Sequence, residues 1–102
     1  MNLLFVCSKN KWRSPTAEAV FKNSSHHNAR SAGTSENARI KIDRSLIDWA
    51  DLIFVMEKKH RQLLSERFNT QKQIIILDIP DEYQFMDPEL IEMIRDTTVP
   101  YL

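Results

Sequence analysis

The chain has 102 residues, with 14 lysines and arginines against 14 aspartates and glutamates, one cysteine and one glycine. That length suits one domain, residues 1–102, whose core buries roughly two-thirds of the unfolded surface, and a balanced charge gives no reason to expect binding to nucleic acid or to an anionic membrane. No apolar run approaches the roughly 20 residues of a membrane span, so neither a span nor a leader is expected, and a lone cysteine excludes an internal disulfide and suits a reducing cytoplasm.

Residues 2–6 form a short apolar run of the kind a buried parallel strand needs. The run breaks at Cys7, and Pro15, which favours the first position of a helix, makes Ser14 the expected N-cap. Between those points the chain turns within residues 7–13, leaving several backbone N–H groups without partners in strand or helix. Such groups, at the positive end of a helix dipole, suit an anion such as phosphate and favour the thiolate form of Cys7. Arg13 adds a planar fork that can hold two oxygens of a phosphoryl group, which lysine, a point charge, cannot do. Cys7, Arg13 and the Ser14 hydroxyl therefore describe a cysteine placed to attack phosphorus. Ser8, Lys9, Asn10, Lys11, Trp12 and Ser14 complete the expected phosphate-binding loop.

A helix is expected over 15–23, with Ala17, Val20 and Phe21 on its buried face. Residues 24–28 (S-S-H-H-N) read as a loop, and His26 and His27 have too few ligands around them for a metal site. A second strand, 29–32, ends at Gly33, whose φ freedom is expected to let the chain leave the strand. Residues 34–43 fit a loop or a brief extended piece equally well, and the structure of 34–48 stays open apart from a short helix that Asp43 can cap. The run 51–56 is a third strand and 57–68 a helix with Met56, His60, Leu63, Leu64 and Phe68 on one side. His60 reads as packed or hydrogen-bonded, not catalytic. Residues 74–77 form a fourth strand, followed by a loop and a last helix with Asp87 as N-cap and Pro88 as first residue. Nearly all-apolar strands alternating with helices predict an α/β fold of three layers, αβα, around a four-stranded parallel sheet.

The motif C-x5-R-S, continued at once by S-P-T-A-E, resembles the low-molecular-weight protein tyrosine phosphatase family. Ser31-Ala32-Gly33-Thr34, the strand A-D-L-I-F-V-M and the segment I-P-D-E-Y-Q-F are similar to later parts of that family, and the chain looks like a shortened, divergent member. The resemblance implies a phosphatase-like hydrolase fold and a metal-independent phosphomonoesterase acting through a phosphocysteine intermediate, with Cys7 as nucleophile and Arg13 as phosphate clamp. Phosphotyrosine in a phosphorylated protein is the implied substrate, with phosphoarginine or a small phosphate ester as alternatives. Inorganic phosphate is the implied product and no cofactor is called for. Asn10, Ser14 and Ser31 are expected to hold the loop in shape.

An acid that protonates the leaving group typically contributes about 10²–10⁴ in rate. Asp87-Pro88 has the family's Asp-Pro pair, yet Asp81 follows the fourth strand at the carboxyl edge that also bears Cys7, and Asp87 is occupied as a cap. Asp81 is the expected acid and Asp87 the alternative. Trp12, Tyr83 and Phe85 are expected to wall the slot for an aromatic ring. Three departures from the family pattern stand out. Lys9 takes a place where the family usually has glycine, which would cost about 1–2 kcal/mol if that position needs a positive φ, Lys11 is unusual beside it, and Trp12 takes the place of the family's second cysteine. Two other readings stay open: a cysteine phosphocarrier, against which Arg13 and Asp81 speak, and a phosphate-binding module that has lost turnover through Lys9 and Trp12.

Overall fold

The computed structural model describes all residues, 1–102. In chain order the elements are β1 (Asn2–Cys7), α1 (Arg13–Phe21), β2 (Asn28–Gly33), α2 (Arg44–Trp49), β3 (Leu52–Val55), α3 (Lys58–Phe68), β4 (Ile74–Ile76) and α4 (Pro88–Thr98), with a closing 3-10 turn at Val99–Tyr101. The strands form one parallel sheet in the order β2-β1-β3-β4. This is the three-layer α/β architecture that the apolar strands predict. No helix is long and apolar enough to cross a membrane.

The layers follow from strand periodicity. Leu3, Phe5 and Cys7 of β1 join Phe54, Met56 and Ile75 on the face covered by α1 and α4, where Ala17, Leu90 and Ile94 meet them. Leu4 and Val6 point the other way and join Ala32, Ile53 and Val55 against Ile47 of α2 and Leu64 of α3. Phe5 stacks between Phe21 and Phe54, with ring centroids 5.6 and 5.3 Å away. Because the chain leaves β1 toward β2 and leaves β3 toward β4, the direction of winding reverses between β1 and β3. The carboxyl ends of these two strands therefore flank the crevice where open parallel sheets bind ligands.

The helix starts are set by side chains. Asp43 accepts from the Leu46 amide at 2.9 Å and opens α2, and Asp87 accepts from the Glu89 amide at 2.9 Å with Pro88 in the first turn of α4. At α1 the structure corrects the sequence. The helix begins at Arg13, one residue before the expected cap, and Trp12 occupies the N-cap without a side-chain bond. The cause is Asn10, whose φ of 55° turns the chain early, so Ser14 lies inside the first turn. The left-handed position is Asn10 and not Lys9, and asparagine tolerates that region better than most residues, so the strain anticipated at Lys9 does not arise.

Gly33 is a second correction, because its φ is not positive. It is needed for space: a Cβ there would lie 2.5 Å from the Ser8 carbonyl oxygen and 2.9 Å from the Asn10 nitrogen. Gly33→Ala is expected to cost about 1–3 kcal/mol by overpacking and to displace the loop, which thermal unfolding and turnover measured on the same sample would register together. Beyond Gly33 the chain makes one isolated parallel pairing, Gly33 with Lys41, before α2.

Candidate active site

The loop between β1 and α1 is held from behind by the segment after β2. The Thr34 amide donates to the Cys7 carbonyl (3.0 Å), the Ser35 amide to Ser8 (2.9 Å), the Arg39 amide to Lys9 (3.0 Å), and Arg39 Nε to Asn10 (3.2 Å). Four successive carbonyls are thus drawn to one side. None of the backbone N–H groups of residues 8–14 donates to another protein group. Consecutive amides free of partners at a helix start form a concave nest for an anion.

Side chains set the nest's shape. Buried Asn10 donates through Nδ2 to Ser14 Oγ (2.8 Å) and to Ser31 Oγ (2.9 Å), and the Ser31 hydroxyl passes its own hydrogen to Glu18 Oε1 at 2.6 Å. Asn10, Ser14 and Ser31 are thereby joined in one network. Ser14 Oγ also lies 2.9 Å from Cys7 Sγ, so its hydroxyl can donate to a thiolate.

Arg13 is buried although charged. Its Nη1 donates to Glu57 Oε2 at 2.6 Å and to the Ile79 carbonyl at 2.8 Å. The opposite edge, Nε and Nη2, makes no hydrogen bond and is free to bind two oxygens, with Asp81 Oδ1 standing 3.7 Å from Nε. Partial burial pushes the Glu57 carboxyl up, but the hydrogen bond and charge of Arg13, with Lys59 and His60 adding to them, outweigh it and hold the group below its usual value. Glu57 was not legible as part of the site. The only hint is its place between the strand that flanks the crevice and the start of α3.

His60, on the buried side of α3, completes the surroundings. Its Nδ1 accepts from the Glu57 amide at 3.0 Å, so the neutral ring carries its proton on Nε2, which donates to Ser8 Oγ at 2.9 Å. Burial, then the Arg13 charge, pushes its pKa down to about 4. A histidine held neutral in the fold stabilises it fully above the unfolded value of about 6.5, and that contribution is lost as the pH falls toward 4. Urea unfolding of the wild type is therefore expected to weaken over this window, and the dependence should be flatter in His60→Gln. Glu57 and His27 shift in the same direction, so the diagnostic quantity is the difference between the two proteins. Equal slopes would show that His60 is not responsible.

The cleft above Cys7 encloses about 200 Å³, room for a phosphoryl group and part of its carrier, and is bounded by Ser8, Lys9, Lys11, Trp12, Arg13 and Asp81. Asp81 faces it with a side chain 62% exposed. Asp87 does not line it and is engaged as the cap of α4. Of the three aromatic walls expected, only Trp12 is present, with Lys11 Nζ 4.6 Å over its ring. Tyr83 packs on the core face under α4, and Phe85 is carried to the outer side of α1, where it is half exposed. The loop is turned there because Met86 adopts a φ of 63° and its amide donates to Thr16 Oγ1 at 2.9 Å. His26 and His27 meet edge to face, 6.5 Å apart, on the loop before β2, and neither lines this cleft.

A parallel α/β sheet whose first strand ends in a cysteine, followed by a nest of free amides and a buried arginine, defines a protein built around a cysteine-centred loop open to an anion. The sequence model of the family "Low molecular weight phosphotyrosine protein phosphatase" matches residues 2–49. A curated protein-arginine-phosphatase of Bacillus subtilis (strain 168) is 30% identical over 95 residues, covering 67% of this chain and 63% of that protein. This chain thus spans under two-thirds of the length of that relative. The low-molecular-weight protein tyrosine phosphatase SP-PTP of Streptococcus pyogenes superposes with a TM-score of 0.79 at 21% identity, over 99% of this chain and 90% of that one. The YwlE arginine phosphatase, as a cysteine-to-serine mutant with a phosphorylated active-site serine, superposes with a TM-score of 0.74 at 23% identity, over 98% and 95%. The chain is similar to the low-molecular-weight phosphotyrosine protein phosphatases in sequence over its first half and in fold over nearly its whole length.

Proposed function

We propose that the protein is a phosphomonoesterase that works through a phosphocysteine. The observation that carries this reading is the loop's polarity: the carbonyls of residues 7–10 are bound on the outside, while the amides of residues 8–14 and the free edge of Arg13 remain open beside Cys7 Sγ. The oxygens of a phosphate ester sit in that nest, and the thiolate of Cys7 attacks phosphorus in line. A sulfur–phosphorus bond forms as the ester's phosphorus–oxygen bond breaks, and the Asp81 carboxylic acid gives its proton to the departing oxygen. Water then attacks the phosphocysteine while the Asp81 carboxylate accepts a proton from it. Inorganic phosphate leaves, and the Ser14 hydroxyl stabilises the returning thiolate. No step calls for a metal, since Arg13 and the amides neutralise the charge that builds up on the transferring group. The phosphorylated serine described for the YwlE mutant supports residue 7 as the acceptor.

The substrate we propose is a phosphotyrosyl protein, and we place the enzyme in the cytoplasm, where Cys7 stays reduced. The relative described as a protein-arginine-phosphatase makes phosphoarginine the second reading. The charge around the cleft favours the first. Lys9 and Lys11 oppose a leaving group that departs as a guanidinium cation, whereas a phenol is neutral and meets the ring of Trp12. The test is hydrolysis of p-nitrophenyl phosphate, a phosphotyrosine peptide and a phosphoarginine peptide in the presence of a chelator, wild type beside Cys7→Ser. Turnover by the wild type alone, with the phosphotyrosine peptide preferred, is expected. Undiminished activity in Cys7→Ser would sink the mechanism, and inactivity of both would leave a phosphate-binding module.

A further inference from the structure

On the outer side of α1, next to the catalytic cleft, lies a second groove of about 350 Å³ that no step above uses. The two share Lys11. Lys22, at the end of α1, and Arg39, on the segment behind the loop, add two more cations, and Phe85 stands half exposed at the edge. The chain as a whole is neutral, so this concentration is local. None of the three cations has a carboxylate within ion-pair distance. The one acid in the groove, Glu18, is turned toward the sheet, where it accepts the Ser31 hydroxyl. Arg39 is steadied through Nε on the Asn10 carbonyl, which leaves the rest of its guanidinium available.

We propose that this groove binds acidic side chains flanking the phosphorylated residue of a protein substrate. The proposal rests on the reading that the neighbouring cleft holds that phosphorylated residue. Three unpaired cations along a path that begins at the cleft complement a run of aspartates or glutamates, and Phe85 offers an apolar contact to a residue carried with them. Such a site raises the encounter rate and selects among substrates more than it binds tightly, and it weakens as salt rises.

The experiment measures the dissociation constants of three peptides for Cys7→Ala by fluorescence anisotropy of a dye on each peptide at low ionic strength: a phosphotyrosine peptide with acidic flanks, one with alanine flanks, and the acidic peptide unphosphorylated. This arm needs no turnover, so it is independent of whether the wild type proves to be an enzyme, which p-nitrophenyl phosphate hydrolysis decides separately. The acidic phosphopeptide is expected to bind about tenfold more tightly than the alanine-flanked one. Lys22→Glu, placed in the Cys7→Ala background, should abolish that preference, and the gentler Lys22→Gln should reduce it. In the otherwise wild-type chain neither change should affect hydrolysis of p-nitrophenyl phosphate. Equal affinity for both phosphopeptides would overturn the proposal. So would an unphosphorylated acidic peptide that binds as well as its phosphorylated form, which would make the groove a general polyanion patch.

Discussion

Arg13→Lys is expected to lower kcat/KM for p-nitrophenyl phosphate by about 10²–10³, the usual loss when one preorganised donor to a developing charge is removed. The geometry makes the substitution severe although it preserves charge. Nη1 is fastened to Glu57 and to the Ile79 carbonyl, and that anchorage fixes the other edge of the guanidinium toward the phosphoryl oxygens. Lysine has a single ammonium, which can stay with Glu57 or reach the phosphate but cannot form a second, rigid pair of donors. The fold should survive, because a cation still faces Glu57. Circular dichroism beside the kinetics separates the two effects, and a near wild-type rate in a folded Arg13→Lys protein would show that the loop does not clamp phosphate as described.

Asp81→Asn is expected to lower turnover of phenyl phosphate by about 10²–10⁴, the span typical of a lost general acid. The loss should shrink for p-nitrophenyl phosphate, whose phenolate leaves with little help from a proton. Asp87→Asn should change either rate little, since asparagine caps a helix about as well as aspartate and Asp87 does not line the cleft. Measuring the two esters on both variants distinguishes the aspartates directly. If Asp87→Asn proved the more damaging, the role of acid would pass to it.

How far the sequence could be read depended on where the signals reside. Apolar strands and capping aspartates are written in side chains, so the parallel sheet, the end of β1 at Cys7 and the starts of α2 and α4 were legible. The hold on the loop by residues 34–39 is largely backbone to backbone, and amides carry no residue signature, so that segment read only as ambiguous. The positive φ at Asn10, Asp78 and Met86 falls on non-glycine residues. Each lies in a segment where the pattern does expect a loop, but composition does not say at which residue the chain bends or which way it then runs. Asn10 moves Ser14 off the cap, and Met86 carries Phe85 away from the cleft while Tyr83 packs on the core. Glu57 and His60 reach the loop across more than forty residues of sequence, a proximity that periodicity does not encode. The glycine illustrates the reverse error. A lone glycine at a strand end is conspicuous in the sequence, but its φ is ordinary and its role is to let two backbones touch.

That Cys7 shares its loop with Trp12 and with no second thiol has a consequence for oxidation. Peroxide converts an activated thiolate to sulfenic acid, which a neighbouring cysteine can trap as a disulfide before further damage. Cys7 is the one cysteine in these 102 residues, and it faces an indole and two lysines at the cleft rim. Its sulfenic acid has no internal partner, so continued exposure carries it to sulfinic acid, which ordinary thiols do not reduce. Intact mass and activity followed together during peroxide treatment should show a gain of two oxygens and loss of recovery by added thiol after the first minutes, and phosphate in the nest should delay both. Survival of such a protein under oxidative stress then depends on small thiols outside it, or on its own ligand, in place of a reversible lock within the fold.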